Sequence, residues 1–457
     1  MPDVFPFHAI HYPRPPDQSA LIAPPYDVLD APGKQRLLDK DPRNIVAIDL
    51  PHTPAKELGP PGAYAAAGER FRELLRDGTL TKASTPVMFA YRQTWMRTAA
   101  NGEQQHLSRS GMACCVETVP FGARAGGGVL PHEETFSGPK ADRLALMHAT
   151  KAQLSPIFGL HADDRGAARG VLNTIMSARA PDRTATTHDG TLHEVWTIAD
   201  DATINAYRAA LAGEDIFVAD GHHRYNTALN YLHELEVYGK VPADHAARRT
   251  MFVLVGMSDP GLVIWPTHRV LGGMADYTFE AFSAAAAGLL TIRPIATGPG
   301  ALEQIERTIN AAPASPNIFG LYDFATEQGY SATLTTADPL ATSHASKPAS
   351  WRTLDVAIIQ HAIVEQICQP RLNRGAPVKW AFPHTIEEVR NIPRGTASAA
   401  DESPDHGAAS FAQLAIIVRP TPLAAVKDVS RAGELMPQKS TFFYPKLATG
   451  LFMHSLK

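Results

Sequence analysis

The chain has few of the features that would place it outside the cytoplasm. Among 457 residues there are only three cysteines, which are too few and too odd in number for a disulfide framework. We expect Cys114, Cys115 and Cys368 to be reduced, unreactive thiols in the cytoplasm. No apolar run approaches the roughly 18 to 20 residues of a membrane span, and the proline-broken N-terminus lacks a signal-peptide core.

Two further absences limit the partners of the chain. Lysine and arginine number 42 against 46 aspartates and glutamates, and the formal net charge is −4. Without a basic surplus the chain is not expected to bind nucleic acid in general. There is no Cys-x-x-Cys or His-Glu-x-x-His motif, so a structural zinc site is not expected. Small molecules are the expected partners, membranes are not, and a homodimer is left open.

The most informative stretch runs from Ile216 to Tyr238. Its first four residues are apolar and predict a buried strand, and from Tyr225 the apolar residues recur with helical spacing. Gly239 follows at the position where a glycine commonly ends a helix. The turn between strand and helix consists of Asp220, Gly221, His222, His223 and Arg224.

The chemistry of this turn suits an anion. A helix start carries unpaired N–H groups and the positive end of the helix dipole, and it therefore binds phosphate. We predict that Gly221, His222, His223 and Arg224 hold donor phosphates, with both histidines also as catalytic candidates. Asp220 is predicted to bind Mg²⁺ or to orient an acceptor hydroxyl. The alternative is structural: Asp220 or Gly221 caps the helix, and the cationic side chains hydrogen-bond locally.

A second candidate region spans residues 122–151. A triple-glycine loop at 126–128 is predicted to act as a lid, and a helix is predicted to start near Pro139. Lys140 and Arg143 lie three residues apart and so project from one side of its first turn, where they would neutralise a transferred phosphoryl group. Glu133 or His132 is the predicted general base. Alternatively, Lys140 and Arg143 pair with Asp142 or Glu134 on a solvated face.

Three shorter segments supply weaker candidates. Tyr26 and Asp27 follow a rigid Pro-Pro and either line a pocket or cap a turn. His268 and Arg269 add a third cationic contact or pair locally. Residues 433–440 fail as a P-loop, because the second glycine is replaced and a proline disrupts the cradle. Lys439 and Lys446 could still contact a phosphate without a P-loop. Alternatively, this basic aromatic stretch only packs the end of the chain against the rest of the protein.

Several of these segments carry a resemblance to known families. ADGHHRYNTALNY resembles the strand–turn–helix corner of the ParB and sulfiredoxin superfamily, and its DGH-x-R form is similar to that of the free-serine kinases. The whole chain is identified as a member of the family DUF1015, a domain of unknown function. The matching blocks are PPYDV, HEETFSGPKADR, SPIFGL, ADGHHRY, PTHR and MPQKSTFFYPKLATGL.

The fold class predicted is α/β, with a ParB/sulfiredoxin-like core and further α/β elements on either side. The predicted regions are an N-terminal one at 1–200, a central one at 201–345 and a C-terminal one at 346–457. The predicted function is a phosphotransferase that uses Mg²⁺ and a nucleoside di- or triphosphate to act on a small polar metabolite. Resemblance to the free-serine kinases implies serine as acceptor. Two alternatives remain: a phosphatase for a phosphorylated amino acid, and a nucleotide-binding regulatory protein like ParB.

Overall fold

A computed structural model describes residues 2–53, 55, 57–98, 103–134, 137–313, 317–392 and 411–457. The chain divides into two compact units. Unit 1 comprises Met1–Pro131, Thr135–Val263 and Pro445–Lys457, and unit 2 comprises His132–Glu134 and Ile264–Tyr444. The three regions drawn from the sequence remain a prediction about domain boundaries.

The strands and helices of the described residues confirm the α/β class. In chain order the strands are β1 Val4–Phe5, β2 Ala9–His11, β3 Thr81–Lys82, β4 Met88–Thr98, β5 Gln104–Glu117, β6 Val129–Leu130, β7 Ala152–Gln153, β8 Ile157–His161, β9 Arg183–Thr186, β10 Leu192–Ile198, β11 Ile216–Asp220, β12 Arg249–Gly256, β13 Val263–Trp265, β14 Arg269–Gly272, β15 Leu290–Thr297, β16 Ile318–Asp323, β17 Gln328–Leu334, β18 Lys379–Ala381, β19 Ala412–Ile417, β20 Phe442–Tyr444 and β21 Met453–Ser455. The α-helices are α1 Ala31–Lys40, α2 Val46–Asp49, α3 Pro61–Arg76, α4 Ser137–Thr150, α5 Ala167–Ala178, α6 Asp201–Ala210, α7 His222–Tyr238, α8 Phe279–Ala286, α9 Ala301–Ala311, α10 Ala349–Arg352, α11 Asp355–Ala357, α12 Ile386–Asn391 and α13 Leu423–Arg431. Short 3₁₀ turns occur at Tyr26–Val28 and Ala246–Arg248, and a π-helix runs over Ile358–Leu372.

Unit 1 is organised around a sheet with the strand order β6-β11-β8-β12-β5-β4-β10-β9, to which β1 adds by pairing with β5. Strand β11 is the buried strand predicted at the start of the informative stretch. It pairs in parallel with β6 and antiparallel with β8. On the helical side, α3 packs against α4 and α4 packs against α7. This packing brings the first turns of α4 and α7 into the same unit as the end of β11.

The last thirteen residues of the chain, Pro445–Lys457, belong to unit 1. Buried arginines hold this terminal segment in place through its carbonyl groups. Arg109 donates from Nη2 to the Pro445 carbonyl at 2.6 Å, and Arg183 donates from Nη1 to the Leu451 carbonyl at 2.9 Å. Strand β21 then pairs with β2 and β7 in a separate four-stranded sheet. The terminal segment is therefore an integral part of the unit.

Unit 2 contains an antiparallel sheet of order β15-β17-β16-β19-β14-β18. One hydrophobic core lies between this sheet, helix α8 and the π-helix, and a second core includes α9 and α12. The sequence predicts a helix over Leu354–Cys368, which is confirmed as a helical segment. Its type differs, because most of it is a π-helix. Such i→i+5 winding is not visible in the apolar pattern of a sequence.

Several other elements that the sequence predicts are confirmed, and others are not. Residues 277–312 are predicted to be helical, but strand β15 at Leu290–Thr297 separates helix α8 from helix α9, so that prediction is wrong for this strand. The helix predicted at 62–76 and the strand at 87–95 correspond to α3 and β4. The polar connector expected up to residue 187 contains strand β9, whose residues are mostly polar. The hairpin turn predicted at Asn101-Gly102 and most of the loop predicted at 391–410 lie outside the described residues.

Candidate functional site

The predicted turn lies where strand β11 ends at Asp220 and helix α7 begins at His222. Gly221 joins them with a φ of 99°, a left-handed conformation that favours glycine. A Cβ at this position would lie 3.1 Å from the Arg224 guanidinium. The N-cap residue, Gly221, has no side chain with which to cap the first turn of α7. A helix start of this kind is suited to an anion.

Asp220 forms two ion pairs at this turn. Its Oδ2 lies 2.5 Å from Nη2 of Arg224, and its Oδ1 lies 2.7 Å from Nζ of Lys446. Arg224 also donates from Nη1 to the Pro156 carbonyl. Burial by itself would raise the pKa of Asp220, but Lys446 and Arg224 outweigh burial and hold the pKa below its usual value. The carboxylate is therefore ionised at neutral pH.

The two histidines of the turn occupy different environments. His222 is buried and contributes to the lowered pKa of Asp220, whereas His223 is half-buried. Their carbonyl groups accept hydrogen bonds from the side chains of Asn226 at 3.1 Å and Thr227 at 2.8 Å. The structure therefore places His222 beside the Asp220–Arg224 pair. The pairing of Arg224 with Asp220 is the local contact that the structural alternative expected, and the phosphate-binding role of the turn stays a prediction.

A second charged group surrounds Arg143 on helix α4. Arg143 donates from Nε to Oδ2 of Asp142 at 2.6 Å and from Nη1 to the Asp49 carbonyl at 2.6 Å. Its guanidinium carbon lies 4.0 Å from the ring centroid of Tyr26. His52 and Tyr64 contact the other carboxylate oxygen of Asp142, each at 2.7 Å. Arg143 does pair with Asp142, as the structural alternative expected, but it is buried and not on a solvated face.

The two charged groups share one cavity. Asp49, Arg143 and Arg224 all line a cavity of about 40 Å³ in unit 1. Together the groups contain three acids, Asp49, Asp142 and Asp220, and three permanent cations, Arg143, Arg224 and Lys446. These formal charges balance, so the cations predicted to contact phosphate are paired with carboxylates in a network without net formal charge. Lys140 lies half-buried in the first turn of the same helix as Arg143.

The remaining predicted site residues come together in unit 2. Glu133 accepts hydrogen bonds from the amides of Lys439 at 3.0 Å and Ser440 at 3.2 Å. Lys439 has a φ of 58°, and such a conformation aims successive amides at one anion. The Lys439 carbonyl in turn accepts from Nη2 of Arg269 at 2.9 Å. Glu133 therefore has a structural role here, and its role as general base stays a prediction.

Two histidines of unit 2 are buried. His132 contacts the Thr441 hydroxyl from Nε2 at 2.7 Å. His268 accepts from the Val418 amide at Nδ1, at 3.2 Å, and burial lowers its pKa to about 3. A neutral imidazole does not supply the cationic contact expected of His268. The catalytic role predicted for His132 stays a prediction.

The charged network in unit 1 includes residues that the sequence did not select as site residues. Asp49 and Asp142 were missed, because isolated aspartates on helices give no local pattern. Asp142 could have been selected because it lies in one of the sequence blocks that match the family. The network contains Tyr26 from PPYDV, Asp142 and Arg143 from HEETFSGPKADR, and Pro156 from SPIFGL. It takes Asp220 and Arg224 from ADGHHRY and Lys446 from the terminal block. Asp49 lies in none of these blocks.

Two further kinds of feature are absent from the described part of the chain. No group of three or more histidines, cysteines, aspartates or glutamates there is arranged to hold a metal ion. No helix in the same ranges is long and apolar enough to cross a membrane.

The fold and the site define an α/β protein with a strand–glycine–helix corner built over a buried charged network. The chain belongs to the family described as "Protein of unknown function (DUF1015)", which matches residues 4–357. The tail block, at 436–451, lies beyond the matched residues. No curated protein matches the chain.

Solved structures show a remote likeness. A free serine kinase variant in complex with AMP is 10% identical with a TM-score of 0.32, covering 71% of this chain and 90% of its own. SbnI from Staphylococcus aureus, with a C-terminal truncation, is 10% identical with a TM-score of 0.33, covering 74% and 85%. A conserved hypothetical protein from Pyrococcus furiosus is 12% identical with a TM-score of 0.30, covering 72% and 95%. Likeness at this level carries no argument about a ligand or a reaction of this chain.

Proposed function

We propose that unit 1 contains the site of a phosphotransferase that uses a nucleotide and Mg²⁺ to act on a small polar metabolite. The observation that carries the proposal is the corner at Gly221. There an ionised Asp220 lies between Arg224 and Lys446, next to the start of α7, where Gly221 is the N-cap residue. An acid beside a helix start is an arrangement that can hold a metal ion next to phosphate oxygens, as metal-assisted phosphoryl transfer needs.

The neutrality of the charged network supports a metal-bound nucleotide over a free polyphosphate. A polyphosphate alone would bring several negative charges to a site whose cations already face carboxylates. Magnesium is usually held by one or two carboxylates together with phosphate oxygens, so the ionised Asp220 fits as its ligand. When bound, Mg²⁺ would neutralise negative charge on the phosphates.

The residues of the corner have distinct roles in this proposal. The amides of the first turn of α7 and Arg224 bind phosphate oxygens, and Gly221 lets the backbone approach them closely. Arg143 and Lys140 stabilise negative charge that develops on the transferred group. The acceptor oxygen forms a bond to phosphorus, the bond to the leaving phosphate oxygen breaks, and the hydroxyl proton passes to a base.

The experiment is ³¹P NMR of the purified full chain incubated with Mg²⁺, ATP or ADP, and serine, the acceptor that the resemblance of the DGHHR corner implies. We expect a phosphoserine signal whose rate of appearance falls at least about 100-fold in Asp220→Asn, since electrostatic groups at such sites commonly contribute that much. The control is Asp276→Asn, which removes an exposed carboxylate paired with Arg374 in unit 2. Equal rates in wild type and Asp220→Asn would contradict the proposed role of Asp220.

The same experiment separates the two alternatives. Release of inorganic phosphate from added phosphoserine without nucleotide would indicate a phosphatase. Tight nucleotide binding with no turnover of any acceptor would indicate a nucleotide-switched regulatory protein. Either result would overturn the phosphotransferase proposal.

A further inference from the structure

Unit 2 contains a cavity of its own, with a volume of about 770 Å³. It lies where strand β15 ends, where strand β16 turns into β17, and where helix α9 begins. Small-molecule sites in proteins occupy about 300–1,000 Å³, so this cavity is large enough for a ligand. Its lining includes residues 298–300, Tyr277, Tyr322, Phe324, Glu327 and Arg390.

Two aromatic rings form a corner of this cavity. The ring centroids of Tyr322 and Phe324 lie 5.2 Å apart, and the ring planes are perpendicular, at 90°. Both residues are only half-buried, so they keep accessible surface. A third ring, that of Tyr277, is held by a hydrogen bond from its hydroxyl to Oδ1 of Asp323, at 2.9 Å. The other oxygen of Asp323 accepts from the Thr326 amide and hydroxyl at 3.0 and 2.6 Å. The carboxylate that anchors the Tyr277 ring is therefore itself held in place.

The charge around these rings is negative. Burial raises the pKa of Tyr322, and the nearby carboxylates of Glu327, Asp323 and Glu303 raise it further, whereas Arg390 lowers it. Three carboxylates and one guanidinium leave a formal charge of −2 around the Tyr322 ring. Arg390 also forms an ion pair with Glu303. The electrostatic environment of the cavity therefore favours a cation.

We infer that this cavity binds a small organic cation, in particular one that carries a quaternary ammonium group. The faces of aromatic rings attract positive charge, and a methylated ammonium group meets them through its methyl groups. The corner of Tyr322 and Phe324 supplies the aromatic surface, and the exposed Glu327 supplies a carboxylate that lines the same cavity. The site lies in unit 2 and requires no phosphoryl transfer, so the inference does not depend on the proposed function.

Other classes of ligand fit the cavity less well. Among the described residues that line it, Arg390 is the one cation, and Glu303 already neutralises it. Glu303 also lies in the first turn of α9, where its carboxylate accepts from its own amide, so this helix start does not favour an anion. A neutral aromatic compound would contact the rings but would gain nothing from the carboxylates. An organic cation uses both features.

The test compares two compounds of nearly the same shape. Choline carries a quaternary nitrogen, and 3,3-dimethylbutan-1-ol has a neutral carbon atom in its place. Proton NMR titration with the wild-type full chain is expected to show choline binding at least about 10-fold more tightly, the range that a desolvated contact between a cation and aromatic rings produces. The N-methyl signal of choline should move upfield, because aromatic rings shield protons that lie over their faces. Equal binding of the two compounds, or no binding of choline at millimolar concentration, would overturn the inference.

Variants of the aromatic corner assign the binding to this cavity. Tyr322→Leu is expected to weaken choline binding at least about 10-fold, whereas Tyr322→Phe keeps the ring and should stay within about three-fold of wild type. The matched control is Tyr330→Leu, which removes a ring of unit 2 that stacks on Phe279 at 3.9 Å and is not among the described residues lining the cavity. Circular dichroism checks that each variant is folded. Wild-type affinity in Tyr322→Leu, or an equal loss in Tyr330→Leu, would overturn the assignment.

A charge variant separates the carboxylate from the rings. Glu327→Gln is expected to weaken choline binding about two- to five-fold, as for an exposed charge pair, and to leave binding of 3,3-dimethylbutan-1-ol unchanged. Glu280→Gln, which removes an exposed carboxylate on helix α8, should leave both compounds unaffected. If Glu327→Gln weakened both compounds equally, Glu327 would act through the structure of the turn and not through its charge, which would contradict its proposed role.

Discussion

The Arg143 guanidinium lies over the ring of Tyr26, with its central carbon 4.0 Å from the ring centroid. Both residues are buried, and a desolvated contact of this kind contributes about 2 kcal/mol. We expect Tyr26→Leu to lower the free energy of unfolding by about 2–4 kcal/mol, because ring volume and the cation contact are lost together. Urea unfolding followed by circular dichroism measures the change.

The control for this contact is Tyr26→Phe, which keeps the ring under Arg143. It is expected to cost less than about 1 kcal/mol, because only the hydroxyl is lost. A loss in Tyr26→Phe as large as in Tyr26→Leu would show that the hydroxyl, and not the ring, matters.

The two ion pairs of Asp220 predict a coupled response to mutation. Lys446→Met leaves a buried carboxylate with one cation fewer, and we expect a loss of about 3 kcal/mol in the free energy of unfolding. In Asp220→Asn the carboxylate itself is gone, so adding Lys446→Met should cost much less. A double-mutant cycle from urea unfolding measures a coupling energy of at least about 1 kcal/mol. Additive effects would mean that the 2.7 Å contact contributes nothing to stability.

The left-handed φ of Gly221 predicts a sensitive position. Gly221→Ala forces an L residue into this conformation and places a methyl group 3.1 Å from Arg224. We expect a cost of about 1–2 kcal/mol in stability and a loss of nucleotide binding by calorimetry. Gly288→Ala serves as control, because a Cβ there meets nothing within 4 Å and its backbone carries no such restriction. Wild-type nucleotide affinity in Gly221→Ala would argue against close approach of phosphate at this turn.

Buried histidines predict loss of stability in mild acid. Burial lowers the pKa of His161, His193 and His454 to about 4, while the unfolded chain protonates near pH 6.5. Because only the unfolded state gains protons between these values, stability is full above pH 6.5 and falls as the pH drops toward 4. Each histidine removes up to about 1.4 kcal/mol per pH unit.

Urea unfolding at pH 7.5, 6.5, 5.5 and 4.5 tests this sign. His161→Gln removes one of the histidines, and Nδ1 of His161 forms no hydrogen bond with the described residues. The variant should therefore lose less stability between pH 6.5 and 4.5 than wild type does. An unchanged slope would show that His161 takes up its proton as readily in the folded state.

The three cysteine thiols are expected to react slowly with thiol reagents while the protein is folded. All three cysteines are buried, and burial raises the pKa of Cys114 and Cys115 well above the usual value and that of Cys368 to about 12. Because the thiolate is the reactive form, a thiol reagent such as Ellman's should react with three groups in denaturant and with essentially none before unfolding. Fast labelling of the native protein would show that one of these thiols is accessible.

The sequence predicted those parts of the fold and the site that local pattern determines. The apolar run before Asp220 and the helical stripe from Tyr225 predict β11 and α7, since burial and periodicity follow from neighbouring residues. The pairing of Arg143 with Asp49 could not be predicted, because it depends on how α2 and α4 pack. The same is true of Lys446, whose partner lies 226 residues earlier.

The sequence also could not predict that the candidate site residues lie in two different units. The sequence predicts Glu133 as a catalytic group and Lys439 as a phosphate-binding group. In unit 2 the Glu133 carboxylate accepts a hydrogen bond from the Lys439 amide. A carboxylate that accepts hydrogen bonds from two backbone amides of a turn cannot be distinguished by sequence from a carboxylate that acts as a general base. Only the three-dimensional position of its partners separates the two roles.

The late position of Lys446 has a consequence for biosynthesis. A ribosome translates Asp220 and Arg224 long before it reaches Lys446, so the acid emerges with only one of its two basic neighbours. Arg109 and Arg183 likewise wait for the carbonyl groups of the terminal segment. The nascent chain therefore cannot complete this unit until residues 445–451 have been translated, and a chain stalled before residue 445 would lack the partners that Asp220, Arg109 and Arg183 find in the terminal segment.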